Sequence, residues 1–212
     1  MDLPHDRYEG MIYFSDRDVV RKLAACGFLP LLPELLGVAA PELEMRYLVS
    51  LKGCLTRESQ RLKKAKSQRD LIDFCASHTV IGVAASVERE QELLDGGMHP
   101  GEALLFAEAE HTGGIVVTGD KGALADYARI TTQTQRARIK IICWEMLLLR
   151  VHELKGFGIL KTGCCEGIKA DTMLSLAFST GLATGEEHAL ECIRSYLQGV
   201  KAHSPDIVFD FG

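Results

Sequence analysis

The sequence predicts an α/β fold, a three-layer sandwich around a mostly parallel sheet, carrying a C-terminal helical extension. Three observations lead there. Short apolar strands alternate with helical patterns from residue 11 to about 154. Two of those strands, Met11-Ile12-Tyr13-Phe14-Ser15 and Ile115-Val116-Val117-Thr118, run almost directly into an Asp that can open a helix. Past Lys155-Gly156-Phe157-Gly158 the alternation stops, and only helical patterns follow. The chain therefore divides into an α/β domain over 1–154 and a helical extension over 155–212.

Taken in order, residues 11–15 form the first strand, ended by Asp16. Val19, Val20 and Leu23 at helical spacing then predict a helix over 18–25, with Gly27 as its stop. Pro30 and Pro33 break the apolar stretch 28–36 into a turn with a short element. Pro41 opens a helix bearing Leu43, Tyr47, Leu48 and Leu51 on one face, with Glu42 and Glu44 near its positive end. A helix over 56–75 begins with the most basic run of the chain. Residues 77–82 fit strand or helix equally well. Helices follow over 86–94 and from Pro100 to Gly113-Gly114, then the central strand 115–118 and a helix capped by Asp120. The strand 139–144 and a helix over 145–154 close the domain. In the extension, helices are predicted over 165–178 and 184–201, the second opened by a capping box of Thr184 and Glu187, with the last residues, 209–212, loose. The extension is expected to pack onto the α/β body or to form a homodimer surface.

Composition narrows the function classes. Of 212 residues, 47% are hydrophobic and 25% charged, as in ordinary globular domains. No apolar run is long enough to span a bilayer, so no membrane partner is expected. The mixed polar start, Met1 to Arg7, does not read as a secretory signal. Seven cysteines with no CxxC pair give neither a zinc frame nor a disulfide framework, and five of them (Cys26, Cys54, Cys75, Cys143, Cys192) read as small core residues. Cys164 and Cys165 read as a buried pair of thiols. A cytoplasmic location is the expectation. Neither a GxGxxG nor a P-loop is present, and no nucleophilic Ser-His-Asp or Cys-His arrangement is readable. A net charge of −5 excludes a general nucleic-acid coat but not a nuclease, whose metal ligands are themselves acidic.

The acids carry the chemistry. A carboxylate just past a buried strand stands at the carboxyl edge of an open α/β sheet, where such folds bind ligands. Asp16 and Asp120 follow strands, and Glu102 begins the helix that leads into the second of them. Each has an ordinary explanation as a helix cap or first-turn acid. Brought together, they repel one another unless a cation neutralises them. Hard ions such as Mg2+ or Mn2+ prefer oxygen ligands and can activate water and polarise a phosphate. The run Arg57, Arg61, Lys63, Lys64 and Lys66 is either a solvated face or a bed for a phosphate backbone.

Asp16 within Ile12-Tyr13-Phe14-Ser15-Asp16-Arg17-Asp18, Glu102 within His99-Pro100-Gly101-Glu102-Ala103 and Asp120 within Val117-Thr118-Gly119-Asp120-Lys121 resemble the PIN-domain pattern. That family comprises metal-dependent ribonucleases, many of them toxins of bacterial toxin–antitoxin pairs. The resemblance covers about residues 11–145. It implies Asp16, Glu102 and Asp120 as ligands of Mg2+ or Mn2+, Glu44 as the middle-helix acid with Glu42 as the alternative, and Thr118 supporting the site at the substrate. It further implies RNA as substrate and an antitoxin-type inhibitor as partner. The sequence departs from the family pattern at Asp18, where Asn or Ser is usual, at Glu102, where Asp is usual, and in the longer segment 53–97. Two rivals differ in class. Phe14-Ser15-Asp16-Arg17-Asp18-Val19 also resembles the nucleophile loop of haloacid-dehalogenase-type phosphatases, in which Asp16 would attack phosphate, Asp18 would serve as acid/base and Gly119-Asp120 would hold Mg2+. Alternatively, a PIN-like body without hydrolysis would bind RNA or protein through the basic helix and the extension.

Overall fold

A computed structural model describes residues 11–83 and 85–210. The polar start over residues 1–10 and the last two residues of the chain lie outside the described residues. Strands β1 (Ile12–Ser15), β2 (Glu44–Leu48), β3 (Thr79–Ile81), β4 (Ile115–Thr118), β5 (Lys140–Cys143) and β6 (Val208–Phe209) form one sheet in the order β3-β2-β1-β4-β5-β6. Every neighbouring pair runs parallel. The chain builds outward from β1 through β2 to β3, then crosses back to β4 on β1's other side. The order thus reverses between β1 and β4, and the crevice beyond their carboxyl ends is where open α/β sheets hold ligands.

Alternation along the strands makes the three layers. Tyr13, Ile115, Val117 and Ile142 face a layer of α1 (Arg17–Cys26), α2 (Leu32–Leu36), α5 (Ala65–Ser77) and α10 (Trp144–Glu166). Phe14, Val116 and Ile141 face the opposite layer of α6 (Val87–Asp95), α7 (Pro100–Thr112) and α8 (Lys121–Ile130). Both sides of β4 are covered, so all four of its residues are buried, as a central parallel strand requires. Each such aliphatic side chain contributes about 1.5–3 kcal/mol by leaving water.

Several local expectations give way to tertiary packing. The helix expected from Pro41 is instead a 3-10 turn, Ala40–Glu42, followed by β2 and the short α3 (Val49–Gly53). Met45 and Tyr47 are buried on one face of β2, a strand period that competes with the helical spacing of Leu43, Tyr47 and Leu51. The helix expected over 56–75 breaks at Leu62–Lys64 into α4 (Leu55–Arg61) and α5. Thr184 forms no capping box. Its hydroxyl pairs with Thr180, and Gly185 precedes α12 (Glu186–His203) instead. A box does form at Thr132, which caps the short α9 (Gln133–Arg136). Phe209, expected to be loose, pairs with β5 together with Val208. All seven cysteines are free thiols: Cys26, Cys143 and Cys164 are buried, and the others, Cys165 included, are partly exposed.

The extension packs onto the body. Gly156, at φ 78° and ψ 166°, interrupts α10 at the boundary read from the sequence, a conformation glycine adopts without a Cβ penalty. Beyond it, Leu160, Cys164, the α11 (Thr172–Ala177) residues Met173 and Leu174, Phe178 and Ile193 join the same core as Val19 and Leu23 of α1. Contact is close at Gly163, where a Cβ would collide with the Phe28 ring and stand 2.5 Å from the Cys26 carbonyl oxygen. Helix 165–178, as expected from sequence, is really the end of α10, a 3-10 turn over Ile168–Ala170, and α11 capped by Asp171. No helix among the described residues is long and apolar enough to cross a membrane.

Candidate active site

Because β1 and β4 are parallel neighbours, the residues that follow them emerge at one edge, and the helices α1 and α8 both start there. Asp16 caps α1, with Oδ1 accepting from the Val19 amide at 2.6 Å. Its Oδ2 accepts from the Thr118 hydroxyl and from the Gly119 amide at 3.0 Å. The same Thr118 oxygen accepts from the Asp120 amide at 3.0 Å, and Asp120 Oδ1 caps α8 through the Ala123 amide at 3.0 Å. One hydroxyl therefore holds the Asp16 carboxylate and the Asp120 backbone together. Thr118 is 1% exposed and fully engaged, so it acts on the acids, and the contact with substrate expected of it has no room.

Glu102 is the third member. Pro100 and the His99 side chain, which accepts from the Gly101 amide at 3.3 Å, begin α7 so that its first turn meets this edge. Burial first, then the charges of Asp120 and Asp16 and a hydrogen bond with the Asp120 carboxyl, push the Glu102 pKa up to about 7. Asp16 is raised too, chiefly by burial and against its hydrogen bonds. Carboxyl groups that face each other in this way need a proton or a cation between them.

Two ion-paired groups flank the acids, and sequence reasoning missed both. Lys22, 8% exposed at its side chain, bridges Asp18 at 2.5 Å and Asp171 at 2.7 Å. Burial alone would lower its pKa and raise that of Asp18, but the pairing reverses both shifts. Its ammonium reaches Gly119, whose Cβ, if present, would stand 3.1 Å from Nζ. On the other flank, Glu145 begins α10 just past β5, 2% exposed, and accepts from Lys121 at 2.9 Å. The Lys121 ammonium also lies 4.1 Å from the centre of the Tyr196 ring. Glu145 repeats the strand-then-acid pattern of Asp120 and was legible on that ground. Asp171 comes from the extension and left no sequence signal.

Glu44 does not join the cluster. It pairs in register with Ile12 at the beginning of β1, whereas the edge bearing Asp16 lies past Ser15 and Tyr47. Its carboxylate is exposed and bonds Arg46 at 2.8 Å. Glu42 lies earlier still, in the 3-10 turn. The placement as a middle-helix acid fails because the segment is a strand that enters the sheet from the far edge. Of the basic residues, Arg61, Lys63 and Lys64 line a cleft of about 450 Å3, while Arg57 and Lys66 lie outside it. Arg57 and Arg61 both approach the buried Glu58, at 4.0 and 3.0 Å.

The donor set at the β1/β4 edge, all carboxylate oxygen, suits a hard divalent cation. Among the described residues no three His, Cys, Asp or Glu side chains form a ready-made metal cage. Both Asp16 oxygens accept hydrogen bonds from the protein. The same engagement, with 5% exposure, weighs against Asp16 as an attacking nucleophile, and Asp18 is tied to Lys22 and Arg21. Comparison with protein-family models, with curated proteins and with solved structures gives no match.

Proposed function

We propose that the chain is a metal-dependent phosphodiester hydrolase, an endoribonuclease of PIN-domain type, acting at the carboxyl edge between β1 and β4. The observation that carries this reading is the Thr118 hydroxyl, which donates to the Asp16 carboxylate and accepts from the Asp120 main-chain amide, so that the acid after β1 is tied to the start of the segment that carries Asp120 at the sheet's switch point. Glu102 supplies a third carboxylate to the same place.

Asp16, Glu102 and Asp120 would hold Mg2+ or Mn2+. When bound, such an ion supplies the positive charge that stabilises the reacting phosphate and acidifies the attacking water. The chain's own part is positioning. Asp16 is held rigid by three donors, so its charge stays aimed without reorganisation. Lys22, clamped by Asp18 and Asp171, fixes the start of α1 against the extension. Phosphate contacts from the basic side chains would orient a strand without reading its sequence.

The test is an assay of the purified protein with Mn2+ against mixed RNA and against a generic phosphate monoester. RNA cleavage that disappears in Asp120→Asn is the expected result. Monoester turnover without RNA cleavage would replace this reading by the phosphatase one, and RNA retained but uncut would leave a binding module.

A further inference from the structure

The cleft at the other end of α1 has a charge opposite to that of the chain. Arg21, Arg61, Lys63, Lys64 and Lys169 line it, against a single acid, Glu166. The whole chain carries −5. These five cations come from three separate places: α1, the end of α4 with the break that follows it, and the turn that follows α10. Like charges collected from distant segments repel one another and are costly unless an anion sits among them. Three of the five are already ion-paired, Arg21 with Asp18 at 2.7 Å, Arg61 with the buried Glu58 at 3.0 Å and Lys64 with Glu166, which leaves two cations uncompensated. Lys63 and Lys169 have no acidic partner among the described residues.

The form of the cleft narrows the ligand. A volume of about 450 Å3 accommodates a few phosphate groups with their sugars. Leu62, Ala25 and Ile168 add apolar lining, but no aromatic ring faces it, so bases are not stacked and sequence is not read. Arg21 joins the cleft to the carboxylate edge, because its guanidinium bonds Asp18 at 2.7 Å and the Ala170 carbonyl at 3.4 Å while also lining the cleft. An anion that occupies both places must be extended and repetitive in charge, which describes a nucleic-acid strand better than a free polyphosphate.

We propose that this cleft seats consecutive phosphates of a single RNA strand leading to the carboxylate site, and that the extension, through Lys169, completes it. The assignment of the strand rests on the proposed cleavage reading, while binding in the cleft is separable from cleavage.

The experiment measures binding of a short labelled single-stranded RNA by fluorescence anisotropy, in EDTA, over a salt series. Each phosphate neutralised on a single strand contributes a slope of about −0.7 in log K against log salt, so about four contacts give a slope near −3 and a loss of about 50-fold between 50 and 200 mM. Lys63→Glu with Lys169→Glu removes two unpaired surface cations, and is expected to halve the slope and weaken binding at least about tenfold at 50 mM, with an unchanged melting temperature. Binding by the double variant equal to wild type, or displacement of the RNA by stoichiometric tripolyphosphate, would overturn the proposal. The Mn2+ assay separates the two readings: RNA cut equally by wild type and double variant sinks the cleft alone. Cleft-dependent binding with no cleavage sinks the hydrolase and leaves a strand-binding groove.

Discussion

Asp16 and Glu44 sit on or next to hydrogen-bonded neighbours, β1 and β2, yet stand at opposite edges of the sheet. Glu44 is level with the first residue of β1, and Asp16 follows the last, a separation of about 13 Å at the rise of a parallel strand. One is exposed and pairs with Arg46 on its own strand, a contact of about 0–1 kcal/mol. The other is buried, accepts three hydrogen bonds and shares a threonine with Asp120. In a parallel sheet every strand points the same way, so the end that an acid follows decides whether it meets other acids. That placement, more than residue type, separates a candidate ligand from a surface charge.

The sharpest way to break the comparison is to exchange the charge at each edge. Asp120→Asn is expected to reduce Mn2+-dependent RNA cleavage at least about a hundredfold, the scale on which electrostatic stabilisation operates, while its melting temperature stays at or above wild type. Glu44→Gln should cleave as wild type does, and a matching loss there would erase the distinction between the edges.

Next in size is the Lys22 bridge. Lys22→Met leaves Asp18 and Asp171 facing each other without their cation, and urea unfolding should show a loss of about 3 kcal/mol. Hydrogen exchange over 168–178 should rise with it, since Asp171 ties the extension to α1. An unchanged urea midpoint would mean that the apolar core alone holds the extension.

A smaller effect is expected from pH. Glu102 titrates at about 7 when folded, against 4.5 for the free side chain, so between those values the folded protein binds more protons than the unfolded chain. The contribution is fully present below the unfolded value and is lost as pH rises through 7. Allowing for solvent screening of this partly exposed carboxyl, metal-free protein should melt a few degrees lower at pH 8 than at pH 5, with Glu102→Gln flattening the difference. Smallest of all, Glu44→Gln should leave stability within about 0.5 kcal/mol of wild type by thermal melting.

The alternation of strands and helices was legible because β1 and β4 are short apolar runs that end at helix-capping acids, and local pattern and tertiary structure agree there. Asp16, Glu102 and Asp120 followed from it. Glu44 did not, because Leu43, Tyr47, Leu48 and Leu51 satisfy a helical period while Met45 and Tyr47 satisfy a strand period, and the segment is too short for spacing to decide. Pro41 was a sound sign of a helical turn, but the turn lasts only three residues. The Lys22–Asp171 pair joins residues far apart in the chain, and no local pattern encodes such a contact. The strand at Val208–Phe209 is two residues long and exists only because β5 offers it an edge.

Titration of the metal-free protein with Mn2+, followed by the loss of the free-ion electron paramagnetic resonance signal, tests the meeting of the three acids most directly. Saturable uptake by wild type and by Glu44→Gln, abolished in Asp16→Asn and in Asp120→Asn, is the predicted result. Uptake that survives both Asp substitutions, or none by the folded wild type, would contradict it.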